Sequence, residues 1–186
     1  MISRKKIYFL LLFMSFAWLA ESHHKNTFYN KSGLTSIELI NSNIYNTSLK
    51  VVLDGYEFIE ISEKPGYYKI FCDKGTPILN RGLPNLPKIN TSIIIPDNKN
   101  MNLEIISSNY VEYENINIAP SKGNLSRLVN PQDIPYIFGD IYDQNNFYPE
   151  DIAILNDPYI LRDFRGQTVV TYPFQYNPVT KVLRVY

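Results

Sequence analysis

Two short runs near the end of the chain, Q-T-V-V-T-Y at residues 167–172 and K-V-L-R-V-Y at residues 181–186, decide the fold class. Both are rich in Val, Leu, Thr and Tyr, which favour strands. Between them stands the tetrapeptide N-P-V-T at residues 177–180. Asn followed by Pro suits a type I turn, because the proline ring presets φ and the Asn side chain can bond the backbone two residues on. We therefore predict a β-hairpin at the end of the chain.

The region from residue 36 to residue 72 continues the β pattern. Strand-like runs lie at residues 37–40, 49–53, 57–61 and 67–72, and turn-forming sequences separate them. Such close and regular spacing is typical of successive antiparallel strands. The pair Asp54-Gly55 between two of these runs predicts a tight hairpin.

Prolines dominate the part that follows, with three of them between residues 77 and 87. They exclude a helix and remove ladder donors, so we expect an extended crossing segment or a sheet edge. Residues 91–95 predict a fully buried strand that ends at Pro96. Further strands are predicted over residues 101–114, with a break near residues 107–108, and helical turns only at residues 132–138 and 148–154.

The amino-acid composition limits the fold class and the kind of partner that can be expected. The 186 residues fit one domain, and 15 Tyr, 10 Phe and 12 Pro favour strands and turns. Eighteen basic residues balance eighteen acidic ones, so no basic excess points to a nucleic-acid partner. We predict an all-β fold, an antiparallel, sandwich-like single domain with few short helical turns.

The start of the chain has the pattern of a signal peptide. A basic group at residues 4–6 precedes an apolar run at residues 7–19, and small residues follow at Ala20 and Ser22. The run of about 13 residues is shorter than the roughly 20 needed to span a bilayer. We expect a signal peptide over residues 1–22, a flexible leader over residues 23–35 and a domain over residues 36–186, without stable membrane insertion after cleavage.

Residues that could carry chemistry are few. Cys72 ends a strand-like run, and its expected role is that of a small buried hydrophobe. His23 and His24 lie in the leader, so no thiolate and general base can be paired. Oxygen-bearing side chains cluster at residues 140–151 without the spacing of a calcium loop, which favours a solvated loop. We expect neither a metal nor a cofactor.

Five short motifs follow one another along the chain. They are G-L-P-N-L-P at residues 82–87, I-A-P-S-K-G at 118–123, N-P at 130–131 with I-P-Y at 134–136, I-L-R-D at 160–163 with R-G-Q at 165–167, and Q-Y-N-P-V-T-K at 175–181. In this order they resemble the propeptide of the gingipain-type cysteine peptidases. The resemblance implies a non-catalytic pro-domain, with the catalytic Cys and His in a separate domain that follows it. We expect the propeptide to continue past Tyr186, since residues 181–186 end in mid-strand.

The resemblance also implies a function and a partner. The propeptide would inhibit a gingipain-like cysteine peptidase domain in cis, and in trans after processing, by occupying its active-site cleft. It would assist the folding and export of that domain, through the periplasm to the medium or the cell surface of a bacterium. The alternative is a secreted β-sandwich module for binding or adhesion without an associated peptidase.

Propeptides of this type offer a basic residue to the specificity pocket of the enzyme, which selects Arg or Lys. The matching loop here is S-K-G-N-L-S-R at residues 121–127. Arg127 is the first candidate, because its rigid fork of donors suits bidentate capture by an acidic pocket. Lys122 would replace it if the partner prefers lysine, and Gly123 and Ser126 complete the predicted inhibitory loop. From the residues alone, a solvated loop is the alternative.

Overall fold

Strands make up most of the regular structure in residues 33–186, the part of the chain that this computed structural model describes. The predicted signal peptide and all but the end of the predicted leader lie outside these residues. Within them, no helix is long and apolar enough to cross a bilayer.

Twelve strands follow one another along the described chain. They are β1 (Thr35–Ser42), β2 (Thr47–Leu53), β3 (Glu57–Glu60), β4 (Tyr68–Phe71), β5 (Gly75–Pro77), β6 (Pro87–Ile94), β7 (Val111–Tyr113), β8 (Ala153–Leu155), β9 (Tyr159–Leu161), β10 (Phe164–Thr171), β11 (Phe174–Asn177) and β12 (Val182–Val185). Two short 3-10 helices, Pro131–Asp133 and Asp140–Asp143, lie between β7 and β8.

The strands form two larger sheets and two hairpins. One sheet has the order β5-β6-β10-β8, with β9 also paired to β10, and the other has the order β11-β12-β7. The hairpins are β1-β2 and β3-β4. All these pairs are antiparallel, which confirms the all-β prediction.

The hydrophobic core joins the β3-β4 hairpin to the three-stranded sheet. Phe58 and Ile70 from the hairpin belong to the same buried cluster as Phe174 and Leu183 from β11 and β12. The Tyr56 ring meets the Phe174 ring edge-on, with the centroids 5.6 Å apart. This shared core makes the fold sandwich-like, as predicted.

The C-terminal hairpin is present, but one of its predicted strands was wrong. The side-chain oxygen of Asn177 accepts hydrogen bonds from the amides of Val179 and Thr180, at 3.1 and 3.2 Å, so the turn forms where it was predicted. The hairpin partner of β12 is β11, whereas residues 167–172 lie mostly in β10 of the other sheet. Pro173 separates β10 from β11, and it cannot donate to a ladder.

The predicted hairpin at Asp54-Gly55 is also wrong. Strand β2 pairs with β1, and β3 pairs with β4, so the two runs that flank this dipeptide are not partners. A two-residue hairpin turn on Asp-Gly needs a positive φ at the glycine. Gly55 does not have one, and the next residue, Tyr56, enters the core with 6% of its surface exposed.

The middle of the chain follows the predictions in part. The proline-rich segment is extended, with β5 at a sheet edge. Residues 91–95 were wrongly predicted as fully buried, because Ile94 is 68% exposed. Of residues 101–114 only β7 forms a strand, and a 3-10 helix overlaps residues 132–138, whereas residues 148–154 contain none.

Removal of the Phe174 ring tests the position of the core. This ring is fully buried, so Phe174→Ala should lower the free energy of unfolding by about 3–5 kcal/mol in chemical denaturation. Phe164→Ala is the matched control, because Phe164 is 59% exposed, and it should change stability by only about 0.5 kcal/mol. Equal losses in the two variants would contradict the assignment of the core.

Candidate functional site

The predicted inhibitory loop starts from an extended segment at residues 117–121, of which residues 118–121 are buried. On one side, the amide of Ala119 donates to the carbonyl of Tyr68 at 2.8 Å. On the other side, the amide of Asn85 donates to the carbonyl of Ala119 at 2.9 Å, and the amide of Ser121 donates to the carbonyl of Leu83 at 2.7 Å. The loop therefore leaves the fold from a base that is hydrogen-bonded on both sides.

Gly123 turns the chain out of this base. Its φ of +88° lies in the left-handed region that side chains disfavour. A Cβ at this position would lie 3.1 Å from the Cβ of Arg81. The amide of Gly123 donates to the hydroxyl of Ser121 at 3.1 Å, which fixes the direction of the turn.

Lys122 lies beside Gly123, and its ammonium group contacts three partners. The Nζ atom donates to the carbonyl of Pro131 at 2.8 Å and to Oε1 of Glu63 at 3.2 Å. It also lies 4.2 Å from the centroid of the Tyr136 ring. Only 12% of the Lys122 side chain is exposed, so the described structure places this cation against the domain and away from the tip of the loop.

The electrostatics of Glu63 agree with this contact. Hydrogen bonds from its own backbone amide, from Lys122 and from Ser62 hold the pKa of the Glu63 carboxyl below its usual value. The carboxylate is therefore ionised at neutral pH and attracts the ammonium group. Glu63 lies in the turn between β3 and β4, so the ion pair joins the loop to that turn.

The tip of the loop carries Arg127. The carbonyl of Ser126 accepts from the amide of Val129 at 3.0 Å, and the Ser126 hydroxyl accepts from the amide of Leu128 at 3.4 Å. Arg127 is exposed, and Leu128 is 95% exposed. Among residues 33–186, Arg127 has no hydrogen-bond or ion-pair partner, so its guanidinium donors are open to a partner molecule.

The chain returns to the domain through a capped 3-10 helix. The side-chain oxygen of Asn130 accepts from the amide of Gln132 at 3.2 Å, and its amide group donates to Asp133 at 3.3 Å. This is the ordinary arrangement at the start of a helix. The loop therefore has two ends on the domain, which we call its feet. The first foot is the base at residues 117–121, and the second is this capped helix, which contains the Pro131 carbonyl that Lys122 binds.

An open cleft of about 320 Å³ lies behind the β3-β4 turn. Aromatic rings of Tyr67, Phe138, Tyr142 and Tyr176 line much of it. The Nζ atom of Lys64 lies 4.3 Å and 4.0 Å from the centroids of Tyr67 and Phe138. The Lys64 cation at this cleft is therefore already paired with aromatic faces.

Cys72 is buried, as the sequence predicted, with 1% of its surface exposed. Burial is the main reason that the pKa of its thiol rises to about 11, so the thiol stays protonated at neutral pH. Nothing in residues 33–186 forms a group of three or more His, Cys, Asp or Glu residues that could hold a metal ion.

The structure brings all four predicted site residues, Arg127, Lys122, Ser126 and Gly123, into one loop. The sequence did not indicate two partners of Lys122, namely Glu63 and Tyr136. Glu63 is 59 positions away from Lys122, and spacing carries no information over that distance. Tyr136 belongs to the I-P-Y motif, which was the one available signal.

Comparison with known proteins places the chain in a family. The family model Propeptide_C25 matches residues 33–186. The chain belongs to this family of gingipain-type propeptides. It is thus a non-catalytic pro-domain, and membership of the family is consistent with export.

Two curated relatives come from Porphyromonas gingivalis. Gingipain R1 is 42% identical over 141 residues, which are 75% of this chain and 14% of that protein. Gingipain R2 is 38% identical over 151 residues, which are 81% of this chain and 20% of that protein. The propeptide described here therefore spans only a small part of the length of these relatives.

Two solved structures share the fold. A complex of the pro- and mature domains of RgpB from Porphyromonas gingivalis matches with a TM-score of 0.76 and 38% identity, over 81% of this chain and 80% of that one. A structure concerned with the zymogenic latency of gingipain K from the same organism matches with a TM-score of 0.69 and 16% identity, over 83% and 88% of the two chains. At this lower identity the second match shows the fold alone.

Alanine substitutions at Gly66, between β3 and β4, and at Gly123, at the base of the loop, separate the cost of backbone strain from the cost of steric conflict. Gly66 has a φ of +83° and no atom within 4 Å of an added Cβ, so Gly66→Ala should cost about 1–2 kcal/mol of unfolding free energy. Gly123→Ala should cost about 1 kcal/mol more in chemical denaturation, because its Cβ also meets Arg81. Equal costs would show that Arg81 moves aside without penalty.

Proposed function

We propose that this propeptide inhibits a gingipain-like cysteine peptidase domain to which it is attached. It occupies the active-site cleft with the loop that carries Arg127, and it assists the folding and export of the peptidase. The observation that supports this most directly is an exposed arginine without a partner among the described residues, at the tip of a loop whose base is buried. The likeness to a pro-domain that forms a complex with its mature domain supports the choice of partner.

The mechanism is occupancy of the cleft. Arg127 enters the primary specificity pocket, where an acidic group captures its guanidinium through paired, charge-assisted hydrogen bonds. Leu128, which is 95% exposed, lies next to it and enters the cleft with the tip. Substrate is excluded because the propeptide covers the place where it would bind.

Arg127 fits the role of anchor better than Lys122 does. The Lys122 ammonium would first have to leave Glu63, the Pro131 carbonyl and the Tyr136 ring. Arg127 has no such contacts to break in residues 33–186. Ser126 supports the turn at the tip, and Gly123 sets the direction in which the loop leaves the base.

Attachment makes inhibition effective at modest affinity. A propeptide on the same chain as its target acts at a high effective concentration, of the order of millimolar for a short linker. Processing ends this advantage, and inhibition in trans then depends on intrinsic affinity. The order of events fits passage of a silent precursor across the periplasm, followed by release at the cell surface or into the medium.

Arg127→Ala is the direct test of the anchor. Loss of a buried interface hot spot of about 2–4 kcal/mol should raise the inhibition constant about 30-fold to several hundred-fold. The measurement is titration of the purified chain against Arg-specific and Lys-specific peptidases of the gingipain type. Thermal unfolding of the variant should match the wild type, since the side chain has no contact to lose within the described structure.

Arg162→Ala is a matched control, because Arg162 is also exposed but lies in the turn between β9 and β10. It should inhibit like the wild type. A fall in stability with unchanged inhibition in the Arg127 variant would remove Arg127 from this role. Absence of inhibition of both peptidases by the wild-type chain would favour the adhesion module instead.

A further inference from the structure

Lys122 holds together the two feet of the loop that presents Arg127. Lys122 lies at the start of the loop. Its Nζ atom donates to the carbonyl of Pro131, at the end of the loop, with a distance of 2.8 Å. The same atom lies 3.2 Å from Oε1 of Glu63 and 4.2 Å from the centroid of Tyr136. One cation therefore joins the start of the loop, its end and the β3-β4 turn.

The contacts of this cation use two of its three N–H donors and add one aromatic face. A lysine ammonium has three N–H donors and no acceptor. Here a carboxylate, a carbonyl and an aromatic face surround it, and each of these attracts a cation or accepts its protons. Only 12% of the Lys122 side chain is exposed, whereas 39% of the Glu63 side chain is, so water reaches the ion pair mainly at the carboxylate. The arrangement is a built clamp, which differs from the loose pairing of most surface lysines.

Within residues 33–186, few hydrogen bonds hold the tip of the loop. Its internal hydrogen bonds join Ser126 to Leu128 and Val129, which shape the turn but do not tie it to the domain. Arg127 and Leu128 are exposed, and Val129 is 38% exposed. The position of Arg127 relative to the domain is therefore set at the feet of the loop.

We infer that Lys122, with Glu63 and Tyr136, is a positioning residue that preorganises the loop for insertion of Arg127 into the peptidase. The inference rests on the proposed function, since it concerns the same loop and the same partner. A loop that is ordered before binding loses less conformational entropy on binding. If the clamp opens, the loop spends less time in the conformation that can bind. The apparent affinity then falls in proportion to the fraction of molecules that have this conformation.

The test replaces Lys122 by methionine, which is unbranched and only one atom shorter and removes the charge. Lys122→Met should raise the inhibition constant of the chain about tenfold while the fold is retained. Amide hydrogen exchange in residues 124–129 should become about tenfold faster, because the feet of the loop separate. Lys122→Arg should recover part of the inhibition, since a guanidinium can still donate to the carboxylate and the carbonyl and can stack on the aromatic ring.

Lys64→Met is the matched control. Lys64 is likewise a lysine over aromatic faces, those of Tyr67 and Phe138, and it lies next to Glu63 in the β3-β4 turn, but it is not part of the loop. This variant should leave inhibition and loop exchange unchanged. If Lys122→Met does not fold, Glu63→Gln provides the second test, because it weakens one contact of the clamp and keeps the cation.

A double-mutant cycle separates positioning from direct contact. In the Arg127→Ala background, Lys122→Met should change the inhibition constant by less than about twofold, because there is no anchor left to position. A full tenfold effect in that background would show that Lys122 touches the peptidase itself and would overturn the inference. Unchanged inhibition by Lys122→Met, with a large effect of Arg127→Ala, would also overturn it. A neutral Arg127→Ala variant would instead refute the proposed anchor, and the inference with it.

Discussion

The buried segment at residues 117–121 is the constraint on which the rest of the structure depends. Ile118 and Ala119 have no exposed surface, so every backbone polar group there must find a partner inside the domain. Tyr68 provides partners on one side, and Leu83 and Asn85 provide them on the other. The segment thus connects the β3-β4 hairpin to the proline-rich crossing, although it belongs to none of the named strands. The predicted inhibitory loop begins where this support ends.

Two tyrosines, one buried and one partly buried, complete the support of this region. The Tyr176 hydroxyl donates to the carbonyl of Ile116, and the Tyr142 hydroxyl donates to the carbonyl of Ile118, both at 2.9 Å. Burial raises the pKa of Tyr176 to about 12 and also raises the pKa of Tyr142, so both phenols stay protonated as donors over the physiological range. The aromatic ring of each tyrosine packs in the core, and its hydroxyl group donates to a backbone carbonyl. This explains why the chain can place so many tyrosines in a core.

The sequence predicted those features that depend on neighbouring residues, and it failed where distant strands choose partners. The turn at Asn177 was predictable, because its side chain bonds amides two and three residues on. The pairing of β10 with β6 was not, since nothing local distinguishes one β-rich run from another as a partner. Asp54-Gly55 misled for the same reason, because the strands that flank it, β2 and β3, pair with β1 and β4. For the site, the basic loop could be found by resemblance, but the contact between Lys122 and Glu63 required the fold.

The two basic residues of the loop differ in exposure and in pairing. This difference determines which task each of them can perform. A side chain that enters a foreign pocket must give up few contacts at home, and Arg127 meets that condition within residues 33–186. A side chain that orders a loop must be well paired at home, and Lys122 meets that condition through three partners. The two chemistries suit the two tasks, because the compact ammonium fits among three converging groups, whereas the longer, planar guanidinium suits a pocket reached from outside. An inhibitor that relied on one cation for both tasks would have to break its own clamp each time it bound.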